Sequence, residues 1–194
     1  PDEQYLIASE ALAYRVLAVV NSSAFGLDRR VESLRHAIVL LGINQVRHLA
    51  ILLAMSATRD ASEELIKLGA TRARLLSKLV DRSDASSGAF TVGLLSVTDA
   101  LYRTPMEELL VELPVSEPIA KALVEGEGEY GRLLEVAKSC EVLDIERIEA
   151  LLPGQAHHVV GEYRNAVEWA DEICSHLAAR PSKSIERMKT LSHA

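Results

Sequence analysis

Six histidines, two cysteines and several paired carboxylates are the residues of this chain that could do chemistry, and their spacing limits what they can do together. A zinc or iron site needs several imidazole, thiolate or carboxylate ligands converging on one point. His157 and His158 are adjacent, so on a helix their rings diverge by about 100°; they read as surface or helix-start residues. His36 and His48 fall on neighbouring predicted helices with no evident carboxylate partner between them, and read as packed or solvated histidines. Cys174 and His176 are two apart, on different helix faces. Cys140 and Cys174 show no CxxC spacing, and the chain has no GxSxG elbow. Glu63–Glu64 and Glu107–Glu108 sit in predicted first turns, where the helix dipole accounts for them without catalysis. GEGEYG (126–131) matches GxGxxG in form. A dinucleotide fingerprint needs a strand before it and a helix N-terminus after it. Here a helix precedes, and Glu125, Glu127 and Glu129 would repel phosphate, so the run reads as a helix–turn. We expect no catalytic site, no metal and no cofactor from these residues.

The bulk composition describes the scaffold that must carry them. Of 194 residues, 48% are hydrophobic and only 4% aromatic, so Leu, Ala, Val and Ile do the packing, which suits helices on helices. Ten glycines and six prolines are too few for a many-turned β protein. The net charge of −7 argues against a general binder of nucleic acid or anionic membrane. The local clusters Arg29, Arg30, Arg35 and Arg72, Arg74 read as solvated helix faces. Two thiols imply no disulfide framework, so a reducing, cytoplasmic location is expected. The longest stretch free of charge and histidine, Ala85–Thr98, has 14 residues, short of the ~18 that suggest a membrane span. No signal peptide is visible. The chain begins at Pro1 rather than Met, and we expect a fragment of something longer.

Along the chain, residues 3–20 read as one or two helices. VVNSSAFG (19–26) reads as a rigid corner: Asn21 ends the first helix, Gly26 adopts positive φ, and Phe25 plugs the core beneath. Ser33 caps a helix over 34–41 that Gly42 ends. Asn44 is expected to cap 45–58, whose apolar run 49–55 predicts a central position. Ser62 starts a helix to about 81, followed by a polar linker (81–88) and a helix over 89–102. Pro105 opens 106–112, and 119–125, 133–142 and 145–152 follow, the last capped by Asp144. A long final helix runs over 156–179 with apolar residues at threes and fours, and the tail after Pro181 is expected to fray. The architecture expected is an all-α, compact bundle of roughly eight to ten helices, given a typical length of about 11–12 residues.

These motifs carry a resemblance. ALAYRVLAVVNSSAFGLDRRVESLRHAIVLLGINQVRHLAILLAMS (11–56), with its Asn-Ser turn (Asn21, Ser22), spacer and Ser-capped AI-x-LLG helix ending at Gly42, resembles the opening of an HDOD domain, a helical signalling module related to the HD hydrolases. Residues 89–137 are similar to the HDOD domains that follow an EAL, cyclic-di-GMP phosphodiesterase-type, domain in bacterial regulators. The resemblance implies an HDOD-like domain over 1–143, with 144–180 as a C-terminal helical extension packed on it and 181–194 as a tail. HD hydrolases hold one or two metals through a His, a His-Asp pair and a later Asp, and the metal activates water. The resemblance places the first His near Gly69 and the His-Asp pair at Ser96-Val97, so it implies a helical scaffold with its metal site erased.

Three functions follow as expectations. The first is a non-catalytic regulatory module in cyclic-di-GMP-related signalling, acting through protein partners. Such a module is compatible with an upstream EAL domain in a longer chain and with a homo-oligomer. The second is a sensor in which a relic cleft near Thr71, Arg72, Ser96 and Asp99 takes a nucleotide or other anion. The third is a cryptic metal-dependent phosphohydrolase using Asp99, His36 and His48.

Overall fold

In a computed structural model, residues 2–22, 25–27, 29–57, 62–80 and 83–178 are described. They form eleven helices in the order α1 (Asp2–Val20), α2 (Leu34–Leu41), α3 (Ile43–Ser56), α4 (Glu63–Leu79), α5 (Ser83–Leu95), α6 (Thr98–Tyr102), α7 (Met106–Glu112), α8 (Glu117–Val124), α9 (Gly128–Glu141), α10 (Ile145–Leu151) and α11 (Ala156–Ala178). There is no strand among the described residues, and the fold is all-α as the sequence predicts. The tail expected over 181–194 lies outside the described residues.

Local chemistry sets most boundaries. The Ser33 side chain accepts from the His36 N–H at the start of α2, and Ser62 does the same for Leu65 at the start of α4. Asp144 caps α10 by accepting from the Arg147 N–H. Gly42 closes α2 at φ 85°, and its N–H donates to the Ile38 carbonyl. Three expectations need correction. Asn44 does not cap α3, which begins at Ile43 directly after Gly42; Asn44 lies inside the helix and accepts from the Arg47 side chain at 3.5 Å. The polar linker expected over 81–88 is helix from Ser83 onwards. Its polar groups find partners that the linear sequence does not display: Ser86 Oγ donates to the Ser77 carbonyl, and the Tyr130 hydroxyl donates to the Ala85 carbonyl. The helix expected over 89–102 breaks at Ser96-Val97, dividing α5 from α6.

The chain forms two compact units, whose boundaries fall within α3 and α11. The first unites the described residues up to Leu53 with those from Ile173. Val16, Val19, Val20, Val31 and Ala37 are buried in it, as are Leu49, Leu52 and Leu53 of the apolar run. Arg15 donates to the Leu177 carbonyl at 3.2 Å within this unit. Its corner is held by Asn21, whose Nδ2 donates to the carbonyls of Leu17 and Val31 and whose Oδ1 accepts from the Val31 N–H at 2.7 Å. Ser22 Oγ adds a bond to the Val19 carbonyl, and Gly26 takes φ 54°. Phe25 is only half-buried, so the covered anchor of this corner is Val31 rather than Phe25.

The second unit runs from Ala54 to Glu172. Its core joins Leu75 and Leu76 of α4, Ala89 and Val92 of α5, Leu133 to Cys140 on the inner face of α9, and Ile148, Val159 and Ala166. Residues on both sides of the 143/144 boundary expected from sequence therefore share one core. The most extensive helix pairing in this unit is α4 on α5. A Cβ added to Gly93 would run into the backbone of Arg72 and Ala73, so only glycine lets these helices meet.

Gly93→Ala should therefore lower stability by about 1–3 kcal/mol in urea unfolding. Gly161→Ala, in α11 with nothing within 4 Å of the added methyl, should raise stability by about 0.5–1 kcal/mol.

Candidate functional site

The α4–α5 crossing brings together positions that lie far apart in sequence. Gly69, Thr71 and Arg72 are on the buried stretch of α4, and Ser96-Val97 form the break after α5. A Cβ on Gly69 would stand 2.8 Å from Val97 Cγ2 and 3.2 Å from the Leu94 carbonyl oxygen. Gly69 and Val97 are thus neighbours, and the valine fills the space that a larger residue at 69 would need.

Arg72 occupies the polar side of this locus. Its Nε and Nη2 donate to the two carboxylate oxygens of Glu141 on α9, at 2.7 and 2.8 Å. This is a bidentate pair, the geometry that suits a planar guanidinium best. Nη1 donates to Ser96 Oγ at 3.1 Å and to the Ser96 carbonyl at 3.3 Å. Ser96 Oγ in turn donates to the Gly93 carbonyl at 2.7 Å. Only 10% of the Arg72 side chain and 21% of the Glu141 side chain remain exposed, so both charges sit where an unmatched group would be costly.

Neighbouring groups feel this pair. The Cys140 thiol is pushed up to about 11, first by burial and then by the Glu141 charge. The Tyr163 hydroxyl is raised by burial, then by Glu141 and Cys140, with Arg72 and Lys67 pulling the other way. Lys67 pairs with Asp171 across α4 and α11. Arg74 points elsewhere: its guanidinium lies 5.2 Å from the centroid of the Trp169 ring, which also meets Phe90 edge-on. Burial lowers the Arg74 pKa, partly offset by Glu162. Arg72 and Arg74 thus diverge, and neither is the solvated helix-face residue expected from sequence: Arg72 is buried and Arg74 half-buried.

Of the other residues expected at the cleft, Thr71 shares the buried stretch of α4 with Arg72, whereas Asp99 faces solvent in the first turn of α6. The donors at the locus do not fit a metal. Gly69 offers no ligand and Val97 none, while the Ser96 hydroxyl is occupied by Arg72 and Gly93. Among the described residues, no group of three or more His, Cys, Asp or Glu is placed to hold a metal ion. Two open hollows of about 560 and 550 Å³ flank the start of α9, and neither is lined by Gly69, Arg72, Ser96 or Val97. The residue that sequence reasoning missed is Glu141, 69 positions from its partner. Gly93 was also missed, although a lone glycine inside an apolar helical run is a legible sign of close backbone approach.

A model of the HDOD domain matches residues 3–101. The chain belongs to the HDOD family. Two curated relatives extend the likeness. This HDOD chain is 28% identical over 144 residues to the uncharacterized protein YuxH of Bacillus subtilis, covering 71% of this chain and 35% of the relative. It is 30% identical over 149 residues to the cyclic di-GMP phosphodiesterase CdgJ of Vibrio cholerae, covering 74% and 34%. The chain thus spans about a third of the length of the curated relatives it matches. No solved structure matches it. Among the described residues of this HDOD chain, no helix is long and apolar enough to cross a membrane.

Two outcomes follow from the locus. Arg72→Met strands a buried carboxylate and should lose about 3–5 kcal/mol of stability, whereas adding Glu141→Leu to it should recover most of the loss. Urea unfolding of the two single variants and the double variant measures this coupling. The raised Cys140 pKa means that the folded chain keeps a proton which the unfolded chain releases. Stability should therefore fall as pH rises from the ordinary thiol value of 9.0 towards about 11. Cys140→Ser should flatten that slope in melts taken across the same window.

Proposed function

We propose that this HDOD chain is a non-catalytic signalling module that works through protein contacts within a cyclic-di-GMP-related bacterial regulator. Family membership and the relative named as a cyclic di-GMP phosphodiesterase support a signalling-associated role. One observation carries the non-catalytic part. At the place where the HD resemblance puts metal ligands, a guanidinium is bonded to Ser96 and clamped by Glu141. A fixed positive charge opposes a divalent cation at that point. The bonds that hold it join α4, the end of α5 and α9, so the polar groups serve as a structural tie.

The same arrangement weighs against an anion sensor at this place. Arg72 already has a carboxylate on two of its three nitrogens. A phosphate would have to displace Glu141, leaving that carboxylate half-buried without its cation.

The test is hydrolysis. The purified chain, incubated with Mg²⁺, Mn²⁺ or Fe²⁺, should cleave neither bis(p-nitrophenyl) phosphate nor cyclic di-GMP above the protein-free rate. Metal-dependent turnover that co-purifies with the chain and is abolished by Ser96→Ala would contradict the proposal.

A further inference from the structure

Two surfaces of this chain leave aliphatic side chains in water beside charges of opposite sign. On α2 only Ala37 is buried. Val39 is 76% exposed, Leu40 49%, and Ile43 at the start of α3 52%. Exposed cations frame them: Arg35 lies one helical turn before Val39, and Arg47 one turn after Ile43. Residues 29–47 hold four arginines against one carboxylate, Glu32, within a chain whose net charge is −7. The second surface is α7, none of whose residues is buried. Val111 is 86% exposed and Leu113 39%. Glu107, Glu108 and Glu112 stand beside them, and residues 105–117 carry four glutamates and no cation.

The two patterns match in spacing as well as sign. On α2 the cation precedes the exposed aliphatic residue by four positions (Arg35, Val39). On α7 the carboxylate precedes it by the same four (Glu107, Val111). Four residues are about 6 Å of helix rise. Side by side in parallel, the helices would set Arg35 against Glu107 and Val39 against Val111 in one register. Charge of both signs in register with apolar contact is the arrangement that gives an interface its specificity.

We infer that the α2–α3 corner of one copy of this chain docks on α7 of a second copy. The contact joins two different surfaces, so each copy offers both halves of it. It goes beyond the signalling role proposed above and does not depend on whether the Arg72 locus is catalytic; hydrolytic activity would overturn that proposal and leave this one standing.

Sedimentation equilibrium of the chain tests it. Self-association is expected, weakening roughly tenfold in dissociation constant as salt rises from about 0.05 to 0.5 M. R35E/R47E should be monomeric, and so should E107R/E112R. An equimolar mixture of the two should associate again, because each variant then meets the opposite charge on its neighbour. Val111→Asp supplies a second, independent way to abolish the α7 face, with circular dichroism melts establishing that each variant is folded. A chain that stays monomeric across the whole concentration range, or folded single-face variants that associate like the parent, would overturn the inference. So would a mixture of the two reversed variants that stays monomeric.

Discussion

A guanidinium removed from water cannot shed its charge, so every element around it must supply an acceptor. Arg72 imposes that condition on the second unit. Its fork takes both oxygens of Glu141, and its remaining nitrogen reaches the Ser96 hydroxyl and carbonyl. Three segments are fixed by one side chain: α4, which carries it, the turn after α5, and the last residue of α9. The reach to Ser96 is short only because α4 and α5 touch backbone to backbone at Gly93. A larger residue there would part the helices and lengthen the hydrogen bonds at Ser96.

The apolar half of the locus follows from the same crossing. Gly69 has no side chain, and Val97 Cγ2 lies where one would project. Packing density leaves no room for a void at such a contact, so the glycine and the valine are coupled choices. We propose that the polar and apolar halves together substitute for a metal centre: one side is filled by hydrocarbon, the other by an internal ion pair. Such a pair contributes little net stability compared with a hydrocarbon filling of the same shape, but it penalises any arrangement that separates its partners. The tie therefore specifies how α4, α5 and α9 meet more than it strengthens them.

Much of the fold was legible because it is written in local chemistry. Ser33, Ser62 and Asp144 cap helices through their own side chains, and Gly42 ends α2 as expected, at a positive φ. What escaped was the work of residues distant in sequence. Ser83 to Gly88 read as a linker because they are polar, yet Ser77 and Tyr130 give two of these residues helical company. The sequence makes Phe25 the plug of the corner, whereas Asn21 ties Val31 to Leu17 through its side-chain amide, and Val31 is the covered residue. At the candidate site, the resemblance drew attention to Gly69 and Ser96-Val97, and the structure makes Gly69 and Val97 neighbours. It could not indicate Glu141, because nothing near position 141 announces a partner 69 residues earlier. Asp99, close in sequence to Ser96, is turned outward by the start of α6.

A non-catalytic role requires Arg72 to hold the place a metal would take. A crystal of this chain grown in excess Mn²⁺ with phosphate, measured for anomalous scattering, tests that most directly. Arg72 should remain forked on Glu141, with no anomalous peak within coordinating distance of Ser96. A manganese peak bonded at that locus, with Arg72 swung away from Glu141, would contradict it.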